Sequence, residues 1–281
     1  MVMVPRHWAK AEGDATDLRH KRYRLQVWGW SNESAAEALA AARRRLVEVT
    51  ARLASGVTGG PYLYGERPLR EEIVRSLGEP GGPSEALVTR NRYGALVLNT
   101  AQVPFIDVDC PEPGALFRLF DFFTRRRRVT PELALARIRE ACERRRRHAF
   151  RVYRTAAGFR VLVTDLLLDP RSAATQDLLA DFSADPAFAK LCKLQGSFRA
   201  RLTPKPWRLD LPLPPGQHPR EERETQERFA AWRQEYEAAS ERHATCKFLE
   251  TGGAGRPSGD ARAIVEEHDR VSRATSGLPL A

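Results

Sequence analysis

An α+β fold is what this sequence predicts, on three observations. Short runs rich in β-branched and aromatic residues recur along the chain. Runs with apolar residues at helical spacing lie between them. The two kinds do not alternate as regular βαβ units, so a doubly wound parallel sheet is not expected. The 281 residues are ample for a hydrophobic core and allow one large domain or two smaller ones.

The elements follow in order. Residues 1–21 read as a polar lead-in, and 23–30 alternate well enough for a strand. Ser31 or Asn32 can cap a helix over 34–54, with Leu39, Leu46, Val49 and Leu53 at helical spacing. Its Arg43-Arg44-Arg45 run reads as a solvated face. Pro68 in a first turn predicts a short helix to Leu77, and the Gly/Pro-rich 78–83 a loop. Three strands are expected at 86–90, 94–99 and 103–109, the first two joined by a hairpin-length connection that ends at Gly94. A helix is expected over 114–123. Another opens at Thr130-Pro131-Glu132, with Thr130 as cap, and runs to 146. Residues 150–154 and 159–164 read as two strands around Thr155-Ala156-Ala157-Gly158. A helical stretch at 171–194 breaks near Asp185-Pro186, and 197–202 is a further strand. Residues 203–208 read as an extended, proline-stiffened segment. A Pro-rich linker leads to a helix over 220–245 with Phe229, Trp232, Tyr236 and Ala239 on one stripe, and the chain after 251 reads as mobile.

The formal charge is +10, and the basic residues are 40 Arg and 6 Lys. An Arg bias also arises from nucleotide composition, so its placement says more than its amount. Between Arg118 and Arg160 stand 14 Arg against 4 acids, while from Leu211 onward 12 acids exceed 10 bases. The positive field is therefore concentrated in mid-chain, which points to a polyanionic partner. Cys110, Cys142, Cys192 and Cys246 show neither CxxC spacing nor a zinc-finger pattern, so a structural zinc or a disulfide framework is not expected and a reducing cytoplasm is the default. The N-terminus has no apolar signal-peptide core, and no apolar run approaches the roughly 18 residues of a membrane span, so no membrane partner is expected. Walker A and GxGxxG patterns are absent, and the six histidines form no recognisable nucleophile motif.

Three segments carry candidate chemistry. In Phe105-Ile106-Asp107-Val108-Asp109 an apolar run ends in two carboxylates two residues apart. On a strand they share a face, roughly 7 Å apart at Cα, and repel each other. A hard divalent cation, Mg²⁺ or Mn²⁺, would remove the repulsion; the alternative is a strand end running into solvent. In the hairpin 150–161, Arg154 and Arg160 flank a glycine-containing turn, where guanidinium groups can fork onto phosphate oxygens. In Phe198-Arg199-Ala200-Arg201-Leu202-Thr203-Pro204-Lys205-Pro206-Trp207-Arg208, bases alternate on a strand and then surround an indole that could stack on a nucleobase. Asp210 and Asp165 compete as a third carboxylate. Arg125, Arg126, Arg127 and Arg128, with Arg199 and Arg201, are candidate nucleic-acid contacts.

The order of these motifs resembles the archaeo-eukaryotic primase, or primase-polymerase, superfamily. Phe105-Ile106-Asp107-Val108-Asp109 resembles its Asp-hydrophobic-Asp strand. Residues 153–160 look like its second motif, and Leu209-Asp210 could be the third. The likeness spans about residues 86–211 and is that of a diverged member, because Arg160 stands where the family has a nucleotide-binding His. It implies an RRM-like antiparallel sheet core with packed helices, two metal ions bound by Asp107, Asp109 and Asp210, and nucleotide transfer from nucleoside triphosphates. By their own chemistry Arg154, Arg160, Lys205 and Arg208 would then neutralise phosphates, and Trp207 would stack on a base.

The organisation expected is an N-terminal α/β subdomain over 1–85, the catalytic core over 86–211, a C-terminal helix over 212–250 and a flexible tail over 251–281. The activity expected is metal-dependent nucleotidyl transfer in replication or repair. A metal-dependent nuclease would use the same carboxylates. In a non-catalytic nucleic-acid-binding protein the Asp pair would be a relic or a strand end, and in a protein-interaction module the Arg runs would reflect nucleotide composition alone.

Overall fold

The computed structural model describes residues 4–56, 68–110 and 130–281. It is a mixed α+β protein, and its strands pair antiparallel throughout the recorded ladders. The chain divides into two compact units, Met3–Ile73 and Val74–Ala281.

In the first unit, β1 (His7–Thr16) and β2 (Arg22–Ser31) form a hairpin, paired from His7↔Ser31 to Thr16↔Arg22. The segment expected as a polar lead-in is thus a strand. Its inner face is built from small residues, with Ala11 and Ala15 buried and Gly13 against Leu46, and that pattern gives little hydrophobic signal. Asp17 shapes the turn by accepting from the amides of Arg19 and Lys21. Helix α1 (Ala35–Ala54) covers the hairpin through the buried Ala38 and Ala42. Gly29 permits the close approach, since a Cβ there would lie 2.2 Å from the amide nitrogen of Ala42. The cap is Ser34, which accepts from the Glu37 amide, and not Ser31 or Asn32; Ser31 instead donates to the Glu37 carboxylate. Arg43 and Arg44 are exposed as expected, but Arg45 stacks over Trp30, 4.4 Å from its ring centroid.

Two four-stranded sheets organise the second unit. The first has β3 (Glu72–Leu77), β4 (Ala86–Arg90), β5 (Leu96–Thr100) and β9 (Phe198–Arg201), in the order β3-β4-β5-β9. Strand β3 corrects the expected helix after Pro68: the β-branched Ile73 and Val74 extend along the sheet edge. The second sheet has β6 (Phe105–Asp109), β7 (Phe150–Thr155), β8 (Gly158–Val163) and β10 (Cys246–Gly252), in the order β10-β7-β8-β6.

Alternation along β6 sorts its side chains. Phe105 joins a core with Val88, Leu98, Phe198 and Ala200 of the first sheet. Ile106 and Val108 point the other way, into a core with Ile138 of α2 (Pro131–Arg144) and Leu178 of α3 (Ala173–Asp181). Period two then places Asp107 and Asp109 on the Phe105 face, toward the first sheet. The expected break at Asp185-Pro186 separates α3 from α4 (Pro186–Gln195), with Asp185 as the cap of α4. Helix α5 (Arg223–Ser240) buries Phe229, Trp232, Tyr236 and Ala239, the stripe read from the sequence.

The segment expected to be a flexible tail is built into the fold. Strand β10 pairs with β7, and α6 (Gly259–Ser272) buries Ala261, Ile264 and His268. Its Gly and Ser residues lie between the elements or at their ends: Ser258 caps α6 by accepting from the Ala261 amide. The expected helix at 114–123 and the Arg125–Arg128 run lie outside the described residues. All four cysteines are free and buried, and no described helix is long and apolar enough to cross a membrane.

Candidate functional site

Strand register builds the site. Pairing of β6 with β8 sets Asp107 opposite Arg160 and Asp109 opposite Gly158. Arg160 is 3% exposed and forks onto Asp107: Nε donates to Oδ1 at 2.8 Å and Nη2 to Oδ2 at 3.2 Å. Its Nη1 donates to the Arg201 carbonyl at 2.9 Å. Burial opposes its charge, but Asp107 holds the guanidinium proton more tightly than usual. Arg160 therefore directs its donors inward, where the sequence reading had it on a ligand phosphate. The repulsion between the two acids is relieved on one side by this cation from the neighbouring strand.

Behind Arg160 lies a buried polar group that the sequence did not reveal. His268 is fully buried, between Phe105 and Tyr153, with Nε2 3.4 Å from Arg160 Nη1 and Nδ1 2.9 Å from Asp269 Oδ1. An arginine can only donate, so this contact favours an accepting Nε2 and a ring proton on Nδ1 that donates to Asp269, with the Cys246 sulfur 3.8 Å from the same Nε2. Asp269 also accepts from Arg151 at 2.6 Å. Scattered histidines gave no signal because this one meets its partners only when α6 packs on the sheet.

Asp109 stands at the end of β6, open to solvent on one side and partly covered on the other. Gly158 lets the strands close there, since a Cβ on it would lie 2.0 Å from the Val108 carbonyl oxygen. We predict that Gly158→Ala pushes the end of β6 outward and lowers stability by about 1–3 kcal/mol, the usual cost of overpacking. Urea unfolding measures it, and an unchanged midpoint would show that the strand end gives freely.

Partial burial raises the Asp109 carboxyl above its ordinary range, and the charges of Asp185 and Asp107 raise it further, while Lys205 and Arg201 oppose. Asp185 is thus the third carboxylate beside the pair. Its amide donates to the Asp107 carbonyl at 3.0 Å, and its side chain caps α4 by accepting from the Ala187 and Phe188 amides. In the sequence Asp185 read only as a helix break. Asp210 is exposed with φ 56°. Asp165, the other competitor, lies 3.3 Å from His148 Nδ1.

Cations act on this acidic edge through their charge. Burial lowers the Lys205 ammonium, Arg201 and Arg208 push it the same way, and Asp109 opposes them. Arg201 is lowered by burial and by Arg160, and its Nε is buried without a hydrogen-bond partner among the described residues. The segment that carries Lys205 is pinned: the Leu96 amide donates to Thr203 Oγ1 at 2.8 Å, and the Tyr236 hydroxyl donates to the Pro204 carbonyl at 2.6 Å. Residues 206–208 close into a single 3₁₀ turn where an extended segment was expected, because Pro206 supplies the φ of a first helical position. Arg208 donates to the carbonyl of Ala281 at 3.1 Å.

The remaining candidates are more dispersed. Arg154 donates to the Gly158 carbonyl at 2.9 Å and lies over Phe159, so it braces the hairpin turn. Arg199 is half-buried on β9 opposite Asn99. Its charge acts on Cys192, whose thiol burial pushes up to about 12, with Asp107 adding to the rise and Arg199 opposing it. Trp207 is 47% exposed. Among the described residues no group of three His, Cys, Asp or Glu has the arrangement of a metal-ligand cluster. Compared with known proteins, the chain matches no family model, no curated protein and no solved structure.

Proposed function

We propose that the protein is a metal-dependent nucleotidyltransferase resembling a primase-polymerase, acting on nucleoside triphosphates and nucleic acid. The observation that carries this reading is the opposition at the end of β6. Asp109 feels the like charges of Asp107 and Asp185 and the opposing charges of Lys205 and Arg201, and the Nε of the partly buried Arg201 has no hydrogen-bond partner among the described residues. A buried donor without a partner, inside a crowd of cations, calls for an anionic group. A phosphate there would accept from Arg201 and Lys205 and offset the burial and cationic repulsion that lower both. The chain order β6, α2, β7, β8, then α3 and α4, with β6 against β8, supports an RRM-like reading of this half of the unit.

The donor set fits a hard divalent cation such as Mg²⁺ or Mn²⁺. Asp109 offers carboxylate oxygens in an over-acidic setting, and each Asp107 oxygen keeps a lone pair after accepting from Arg160. Asp109 and Asp107 would hold it. Such a cation, when bound, polarises phosphoryl oxygens and acidifies an attacking hydroxyl. The chain's own part is to fix Asp107 through Arg160 and to neutralise phosphate oxygens with Arg201 and Lys205.

One observation favours the second reading, nucleic-acid binding without catalysis: Asp107 already has a cation, Arg160, on both of its oxygens. Incubating the protein with a primed oligonucleotide, labelled nucleoside triphosphates and Mn²⁺ separates the two. Extension that EDTA abolishes is the expected result. Binding without extension or cleavage would establish the second reading, and shortening of the oligonucleotide would point to a nuclease.

A further inference from the structure

Trp207 is an exposed tryptophan in a segment whose other residues are held from several sides. Its ring meets Tyr93 edge-to-face, with centroids 5.3 Å apart and planes at 87°. Tyr93 stands at the tip of the β4–β5 hairpin, a residue the sequence reading used only as a turn. That tip is itself fixed. Asn91 Oδ1 accepts from the amides of Tyr93 and Ala95, at 2.9 and 3.2 Å. Gly94 has φ 82° and lies against the Trp232 ring, which a Cβ there would strike at 2.2 Å. The indole thus has a firm edge contact with Tyr93 while much of its surface stays open to solvent.

Cations border both rings. Arg92 lies 4.7 Å from the Tyr93 centroid, and Lys205 Nζ lies 5.1 Å from that of Trp207. Lys205 is the same ammonium whose charge acts on Asp109. The aromatic pair and the carboxylates are therefore linked through one side chain. An exposed aromatic pair set among cations, on a chain of formal charge +10, complements a polyanion that also carries flat apolar faces. A single-stranded nucleic acid has both properties, with bases free to stack and phosphates to pair.

We propose that Trp207 and Tyr93 form a stacking platform for single-stranded nucleic acid. A base rests on the Trp207 indole, the adjoining phosphates lie toward Arg92 and Lys205, and the strand leads past Lys205 to Asp109. Tyr93 acts as the buttress that holds the indole upright. The inference deepens the proposed function, resting on it only for the direction in which the strand runs.

The test uses the full chain in EDTA and low salt, so that no chemistry is needed. Anisotropy measures binding of a labelled oligo(dT) of about 12 nucleotides and of an abasic oligonucleotide of equal length. The wild type should prefer oligo(dT). Trp207→Ala should weaken oligo(dT) about 5- to 150-fold, the equivalent of one lost stacked base, and leave the abasic strand nearly unchanged. Trp207→Phe should retain most of the preference, and Tyr93→Ala should lose part of it. Thermal melts of each variant confirm that the folded fraction is intact. Equal weakening for both strands would overturn the proposal, since the tryptophan would then act only by placing Lys205. So would wild-type binding with no preference for bases, or tight, Trp207-dependent binding of poly-glutamate. A base-dependent platform in a protein that extends no primer would leave this proposal standing and sink the proposed function.

Discussion

Asp107→Ala is expected to destabilise the protein by about 3 kcal/mol, a loss readable as a fall in the urea midpoint. Removing one partner of a buried ion pair leaves the other charge without compensation, which typically costs about 3–5 kcal/mol. The lower end applies because the Asp107 side chain is 30% exposed, whereas that of Arg160 is 4% exposed and cannot turn to solvent. The Arg201 carbonyl and His268 are the partners that remain to it. Replacing both members, with Asp107→Leu and Arg160→Met, should recover much of the loss, because no buried charge is then left. A double-mutant cycle with no coupling would show that the pair holds nothing together. Asp107→Ala therefore cannot by itself separate a chemical role from a structural one, and a clean test of chemistry must use its neighbour.

Asp109→Asn is that test, and it should lower metal-dependent nucleotide incorporation by at least about 100-fold while leaving the fold intact. Loss of a residue that merely orients a metal ligand already costs about 10- to 100-fold, and Asp109 would be a ligand itself. Steady-state incorporation with Mn²⁺ measures the effect, and activity within a few-fold of wild type would sink the assignment. Stability gives an independent readout. Burial, Asp185 and Asp107 raise the folded Asp109 carboxyl above its unfolded value. Between those two values the folded state holds more proton than the unfolded one, so stability falls as pH rises through the window, and the penalty is fully present above it. Asp109→Asn should therefore raise the melting temperature at neutral pH in metal-free buffer. The gain should vanish below the ordinary carboxylate range, where wild-type Asp109 is protonated in both states. A gain that persists unchanged in acid would show that charge is not its source.

Local chemistry made much of this molecule readable from the chain. Thr130-Pro131 starts α2 because a hydroxyl and a fixed φ satisfy a helix N-terminus wherever they stand. The stripe of Phe229, Trp232 and Tyr236 is buried because helical spacing leaves it one apolar face. Period two put Asp107 and Asp109 on one face of β6 before any partner strand was known. Where the local pattern was weak the expectation failed. The small residues of β1 looked like a lead-in, the β-branched pair of β3 like a helix, and the spaced glycines and serines after 251 like a tail. Each became ordered through a surface supplied from elsewhere: α1 for β1, the first sheet for β3, and β7 and the core for β10 and α6.

The site divides in the same way. Sequence alone determined which residue types could do the chemistry: two acids at strand spacing, bases interleaved with prolines, and a tryptophan among them. Only the tertiary structure decided their partners. The register of β6 on β8 turned Arg160 from a phosphate ligand into the counter-ion of Asp107. The packing of α4 brought the charge of Asp185 to bear on Asp109, and the β4–β5 hairpin brought Tyr93 to Trp207. The physical reason is that spacing along one strand or helix is set by bond geometry, whereas the neighbour across a sheet is set by which hydrophobic faces bury each other. That choice is made jointly by residues far apart in the chain, and no single segment carries it.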